Sequence, residues 1–182
     1  MKSLKIIFYL TTVSLALLIN NFLPDELQAA ERELSTTAKQ KEYLGIKRPG
    51  FRLVDIKGQQ RSVDEWNGKV LIINFWASWC SPCLKEIPVF NHLQQEYGPD
   101  GVQFVGIAID NQKAVRQFIQ STPMHYPVII GNTGAVKLSM AYGNITGTLP
   151  YTVFIDRQGR IMSIAGGELT EKYARQTIEQ LL

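Results

Sequence analysis

Val70-Leu71-Ile72-Ile73-Asn74-Phe75-Trp76-Ala77-Ser78-Trp79-Cys80-Ser81-Pro82-Cys83 is the stretch that decides the fold. Its first half, Val70 to Phe75, is an almost unbroken apolar run rich in β-branched residues, which predicts a strand buried on both faces. After Cys83 the apolar residues Leu84, Ile87, Phe90, Leu93 and Tyr97 recur at helical spacing, which predicts an amphipathic helix over Leu84 to Tyr97. The chain's two cysteines therefore stand where a central strand hands over to a helix N-terminus.

That position favours thiol chemistry. Free N–H groups and a partial positive charge at a helix start stabilise an anion, and the thiolate is the attacking form of cysteine. Cys80 is the expected nucleophile, which requires its sulfur to ionise readily and to be open to solvent. Cys83 lies three residues on, on the same helical face, close enough to close a small disulfide ring, and is the expected resolving thiol. Pro82 suits a first helical turn, where a missing N–H costs nothing, and it stiffens the ring. Two blander readings exist. Structural zinc needs four ligands, and His92 and His125 are spaced like no known finger or ribbon. A disulfide over so short a span restrains the unfolded chain little.

The run Phe75 to Cys83, with Leu84-Lys85-Glu86 after it and Thr148-Leu149-Pro150 downstream, resembles thioredoxin-like proteins. Within them it is similar to the exported, membrane-tethered thiol-disulfide reductases related to TlpA and ResA, over roughly residues 49–182. The resemblance implies a thioredoxin-like α/β fold with a mixed central sheet flanked by helices, an N-terminal β-hairpin and a central insertion near residues 112–131. It also implies a cis-proline at Pro150 facing the cysteines, with Leu149 shaping a groove for an extended client peptide. Trp79 and Pro82 would belong to the same docking surface. Glu86, one turn after Cys83, sits where related reductases carry an acid serving the site, and is expected to relay protons and modulate the thiols. Asn74 departs from thioredoxin, which has a buried aspartate there. An amide exchanges no proton, so Glu86 is left as the candidate.

The chain has 182 residues and is 45% hydrophobic, enough for one full domain and not two. Lys2 and Lys5 precede an apolar stretch, Ile6 to Ile19, and Asp25, Glu26 and Glu31 follow it. This is the pattern of an export signal with its N-terminus kept in the cytoplasm. A cleaved signal and a retained anchor are both open for residues 1–23, and the imperfect small-residue site at Gln28-Ala29-Ala30 inclines toward the anchor. Residues 24–48 read as a polar spacer or a loosely packed helix, and Pro49-Gly50 as the start of the domain, 49–182. Beyond Leu23 the charges nearly balance and no basic run or aromatic-rich patch points to nucleic acid.

From Pro49 onward the patterns predict a hairpin from Phe51 to Val63, the central strand and its helix, a strand Val102 to Ile109 and a helix Gln112 to Gln120. A strand Tyr126 to Ile130, a helix Thr133 to Tyr142, a hairpin Tyr151 to Ala165 and a closing helix Thr170 to Leu182 follow. Pro88 is expected to bend the active-site helix. The expected activity is thiol-disulfide exchange on the periplasmic side of the cytoplasmic membrane, without cofactor or metal, by a monomer. Its expected partners are disulfide-bonded clients, among them apocytochrome c by resemblance, and a membrane thiol electron donor. A disulfide-forming oxidant and a copper-delivery protein are the alternatives. The second is weakened by CxxC spacing, where such proteins use CxxxC, and by the lack of a placed third ligand.

Overall fold

The computed structural model describes residues 24–182, so the expected signal or anchor over residues 1–23 lies outside the described residues. Among those described, no helix is long and apolar enough to cross a membrane. The chain divides into two units, the second beginning at Gln40. Helix α1, Asp25–Lys41, has no buried residue, as its polar, charge-mixed sequence dictates.

The second unit holds seven strands and four helices. In chain order they are β1 (Arg52–Asp55), β2 (Gln60–Ser62), β3 (Val70–Trp76), α2 (Ser81–Tyr97), β4 (Val102–Ala108), α3 (Gln112–Ser121), β5 (Val128–Ile130), α4 (Asn132–Ala141), β6 (Tyr151–Ile155), β7 (Ile161–Gly166) and α5 (Glu171–Leu181). One sheet contains all the strands, in the order β2-β1-β5-β4-β3-β6-β7. β3 runs parallel to β4, and β4 to β5; the outer pairings are antiparallel. The expected mixed α/β architecture is therefore present.

Every residue of β3 is buried. Its alternate side chains feed two cores, because successive residues of a strand face opposite ways. Leu71, Ile73 and Phe75 pack with Phe51, Trp66, Val105, Tyr142 and Tyr151 on one face. Val70 and Ile72 pack on the other with Phe90, Leu93 and Tyr97 of α2 and with Ala174 and Ile178 of α5. Each such large side chain contributes roughly 1.5–3 kcal/mol, which holds β3 as the sheet's fixed centre. At its C-terminal end a third cluster joins Trp76, Ala77, Cys80, Cys83 and Ile87 to Val115, with Leu149 and Phe118 packed against it.

Two features differ from the sequence reading. The backbone joins the fold before Pro49: the Gly45 N–H donates to Ile161 O, the Arg48 N–H to Gly159 O, and the buried Arg48 guanidinium to Val63 O and Asn67 Oδ1. Val63 opens a 3-10 turn, Val63–Trp66, instead of ending a strand, because Ser62 and Glu65 form a reciprocal capping box. The expected insertion at residues 112–131 supplies α3 and β5, with β5 lying between β1 and β4, and the Phe118 ring on α3 is tilted against that of Trp76 with centroids 5.3 Å apart. Helix α2 runs on through Pro88 as one helix from Ser81 to Tyr97.

Candidate active site

Cys80 is the N-cap of α2, and no side chain caps this helix start. Pro82 sits in the first turn, where its missing N–H has no intrahelical partner to lose. Cys80 and Cys83 are joined as a disulfide with their Cα atoms 5.3 Å apart. Cys83 is fully buried and Cys80 is only 5% exposed. The expectation of an open Cys80 sulfur is thus not met in this oxidised state: the bond turns the sulfur toward Cys83, within the cluster that Ile87 and Leu149 complete. Trp79, in contrast, is 68% exposed beside it.

The loop before Cys80 is tied to the end of β4. Asp110 Oδ2 accepts the Ser78 N–H at 3.1 Å and the Ser78 hydroxyl at 2.5 Å. Two residues before the nucleophile, the backbone is thereby held by a carboxylate that the sequence reading did not single out.

Opposite this loop the Leu149–Pro150 peptide is cis. Antiparallel pairing sets Tyr151 against Phe75, so the buried Pro150 follows on at the level of Trp76 and the cysteine loop. Leu149 is half-buried against the cysteine cluster. The structure therefore brings Trp79, Cys80, Cys83, Leu149 and Pro150 to one end of the sheet.

Behind them lies a buried polar line. Glu86, 1% exposed, accepts the Leu169 N–H at Oε1 and the Asn74 amide at Oε2, 3.3 Å. Asn74 also donates to Thr152 Oγ1 at 3.0 Å. Burial raises the Glu86 carboxyl from 4.5 to about 7, the two donors pull it down, and nearby Glu168 adds a small upward push. The side chain stands one helical turn beyond Cys83. Two further buried groups adjoin this region without hydrogen-bond partners among the described residues, the Trp76 indole N–H and the Tyr126 hydroxyl. The Tyr126 phenol is pushed up by burial and by the Glu86 charge. Gly106 makes room for both rings, since a Cβ there would lie 3.0 Å from Trp76 Nε1 and 3.3 Å from Tyr126 Cε2. His92 and His125 are exposed and lie outside this arrangement; His92 pairs with Glu96 at 3.5 Å.

The family model described as Redoxin matches residues 44–182. The chain belongs to the Redoxin family. Its similarity to curated members covers most of both chains. It is 30% identical over 146 residues to the thiol-disulfide oxidoreductase ResA of Bacillus thuringiensis subsp. konkukian, 80% of this chain and 82% of that one. It is 31% identical to ResA of Geobacillus thermodenitrificans over the same shares. Among solved structures it is similar to a thiol:disulfide interchange protein of the thioredoxin family from Chlorobium tepidum (TM-score 0.68, 27% identity, 75% of this chain, 96% of that). It is also similar to StoA from Bacillus subtilis (TM-score 0.60, 26% identity, 73% and 98%). This Redoxin chain is a thioredoxin-like, ResA-type thiol-disulfide oxidoreductase, an enzyme of thiol-disulfide exchange built on the Cys80–Cys83 pair.

Sequence reasoning missed Asp110, Thr152 and Asn144. Asn144, fully buried, donates to Thr148 O at 2.9 Å and accepts the Thr148 N–H at 3.0 Å. Gly143-Asn144 reads as a plain turn signal, and nothing in it foretells an amide directed inward. Asp110 was detectable only as an acid just after a predicted strand.

Proposed function

We propose that the chain is a protein-disulfide reductase acting on the outer, periplasmic side of the cytoplasmic membrane. The reduced Cys80 thiolate attacks one sulfur of a client disulfide. The client's other sulfur leaves as a thiolate and takes up a proton, and a Cys80–client mixed disulfide remains. Cys83 then loses its proton and attacks the Cys80 sulfur, releasing the client's second thiolate and leaving the Cys80–Cys83 disulfide recorded here. Glu86 is the proposed acceptor of the Cys83 proton, because a carboxyl held near 7 gives and takes protons at neutral pH. A membrane dithiol returns two electrons to the pair. Apocytochrome c, with its two haem-binding thiols, is the proposed client, on the strength of the resemblance to the exported reductases. The basic-then-apolar N-terminus supports export.

The direction is carried by the charges around the pair. Two acids support this reading, Asp110 bonded to Ser78 in the cysteine loop and Glu86 one helical turn beyond Cys83, while Lys85 on the same helix is paired with Glu168 at 3.4 Å. Negative charge destabilises the thiolate, hence the reduced form bearing it, and favours electron donation. Equilibration of the pair with dithiothreitol and glutathione redox buffers tests this. A reductase is expected at about −250 mV or below, whereas a value near that of the strong oxidants, about −120 mV, would reverse the proposed direction.

A further inference from the structure

We propose that Asn144 is a positioning residue that sets the register in which a client peptide docks beside the cysteine pair. The inference rests on the proposed docking of the client along the Thr148–Pro150 edge. Its observation is separate: where the fold spends the hydrogen bonds of that edge, and where it does not.

The Asn144 side chain engages both backbone groups of Thr148, giving its Nδ2 hydrogen to the carbonyl and taking the amide proton on Oδ1. A side-chain amide used in this way copies a neighbouring strand, using up the Thr148 N–H and one lone pair of its carbonyl, so Thr148 cannot pair with a client as a free strand residue does. Thr148 itself is exposed, so without Asn144 its N–H and C=O would face solvent or a client. Among the described residues the next one, Leu149, has no hydrogen-bond partner for its N–H or its C=O. Beyond it the Pro150 carbonyl is taken by the Gly167 N–H at 2.8 Å. One residue of open backbone thus remains between two that are closed, and it packs against the cysteine cluster.

The clamp is itself anchored. The Asn144 N–H donates to Ser139 O in α4 at 2.9 Å, and its carbonyl accepts the Gly147 N–H. Ala135 of α4 and the adjoining Tyr142 lie in the sheet core. The chain turns inward at Gly143, with φ of 95°, where a Cβ would meet the Tyr151 hydroxyl at 3.0 Å and the Tyr43 ring at 3.1 Å. The core therefore fixes α4, α4 fixes Asn144, and Asn144 fixes which backbone groups a client strand meets. A peptide adding at this edge has one in-register position, opposite Leu149, instead of a choice between two. Register is otherwise weakly specified along so short an edge.

The test compares a protein disulfide with one that has no strand to add. Pre-reduced wild-type protein, Asn144→Ala and Asn144→Asp are each reacted with insulin and with hydroxyethyl disulfide, and the ratio of the two second-order rate constants is read. Asn144→Asp keeps the side-chain size and the acceptor for the Thr148 N–H but sets a second oxygen against the Thr148 carbonyl, so it undoes only that half of the clamp; both variants are first checked for a wild-type far-UV circular dichroism spectrum. The insulin-to-hydroxyethyl-disulfide ratio is expected to fall about two- to threefold in Asn144→Ala and less in Asn144→Asp, because the freed Thr148 N–H and C=O then compete with Leu149 for the client strand and about half of the dockings are out of register. Equal slowing of both substrates would overturn the proposal, because it would place the effect on the thiols. Trp79→Ala separates the two layers of inference. If Trp79→Ala lowers the ratio and the Asn144 variants do not, the clamp alone is refuted. If none of the three lowers it, the docking face is misplaced and both readings fall.

Discussion

Replacing Glu86 with Gln isolates the electrostatic cost of the buried acid. In the folded protein the carboxyl titrates near 7, against 4.5 in an ordinary setting, principally because burial disfavours its charge. Between those two values the unfolded chain has released the proton and the folded chain still holds it. Stability therefore falls as pH rises through this window, because the folded state binds more protons there. The stabilisation is complete below about pH 4.5 and is lost as pH passes through 7. Its size follows from the displacement, about 3 kcal/mol at 1.36 kcal/mol per pKa unit, as an upper bound. Glu86→Gln has no proton to lose. Its amide also presents an N–H₂ to one of two donors, Leu169 N–H or Asn74 Nδ2, and costs a hydrogen bond unless Asn74 turns over to accept it. That offset does not depend on pH. Urea unfolding of the oxidised wild type and variant at pH 5 and pH 8 removes it, along with the titration of every other group, in the double difference. Wild type is expected to lose about 2–3 kcal/mol more than the variant between the two pH values. A double difference within about 0.5 kcal/mol of zero would mean that Glu86 ionises normally, and the proton relay built on it would fail.

Two other perturbations probe the site and its support. Cys83→Ala is expected to accumulate mixed disulfides between Cys80 and clients, seen on non-reducing gels, while Cys80→Ala accumulates none; equal trapping by the two would reverse the assigned roles. Gly106→Ala places a methyl against the Trp76 and Tyr126 rings at 3.0 and 3.3 Å and against the Met124 methyl at 3.2 Å. It is expected to cost about 1–3 kcal/mol in urea unfolding, the usual penalty for overpacking a core, and an unchanged midpoint would show that these rings yield freely.

What was legible in the sequence is what local pattern fixes. Val70 to Phe75 had no alternation because both faces of β3 are covered, and α2 showed its period because only one face is. The CxxC pair could be placed because a helix start follows it directly. The Ser62–Glu65 capping box is also written locally, as S-x-x-E, yet the hairpin read around the Lys57-Gly58-Gln59 turn runs on through Val63, where the structure has the cap instead. Other features needed partners far along the chain. Arg48 donates to Val63 O and Asn67 Oδ1, Ser78 is held from Asp110, and Leu149, just before β6, packs against the cysteine cluster. That last contact belongs to the packing that, with the disulfide, leaves Cys80 only 5% exposed, a property that no spacing within the WCSPC motif encodes.

Asn74 shows how a departure from the thioredoxin pattern gains meaning only with its partner. Read alone, an amide in place of a buried acid removes a proton acceptor. In the structure its Nδ2 points at Glu86 Oε2, and Thr152 on β6 holds it there. An aspartate at 74 would put a second carboxyl against Glu86 in a water-poor space, and like charges so placed drive one pKa far up and leave the two titrating as a pair. The amide does the opposite, donating to the ionised form and holding down a value that burial has raised. A carboxyl in position 86 that titrates near neutrality therefore requires a neutral donor at 74, so the two residues form a single electrostatic choice made across β3 and α2.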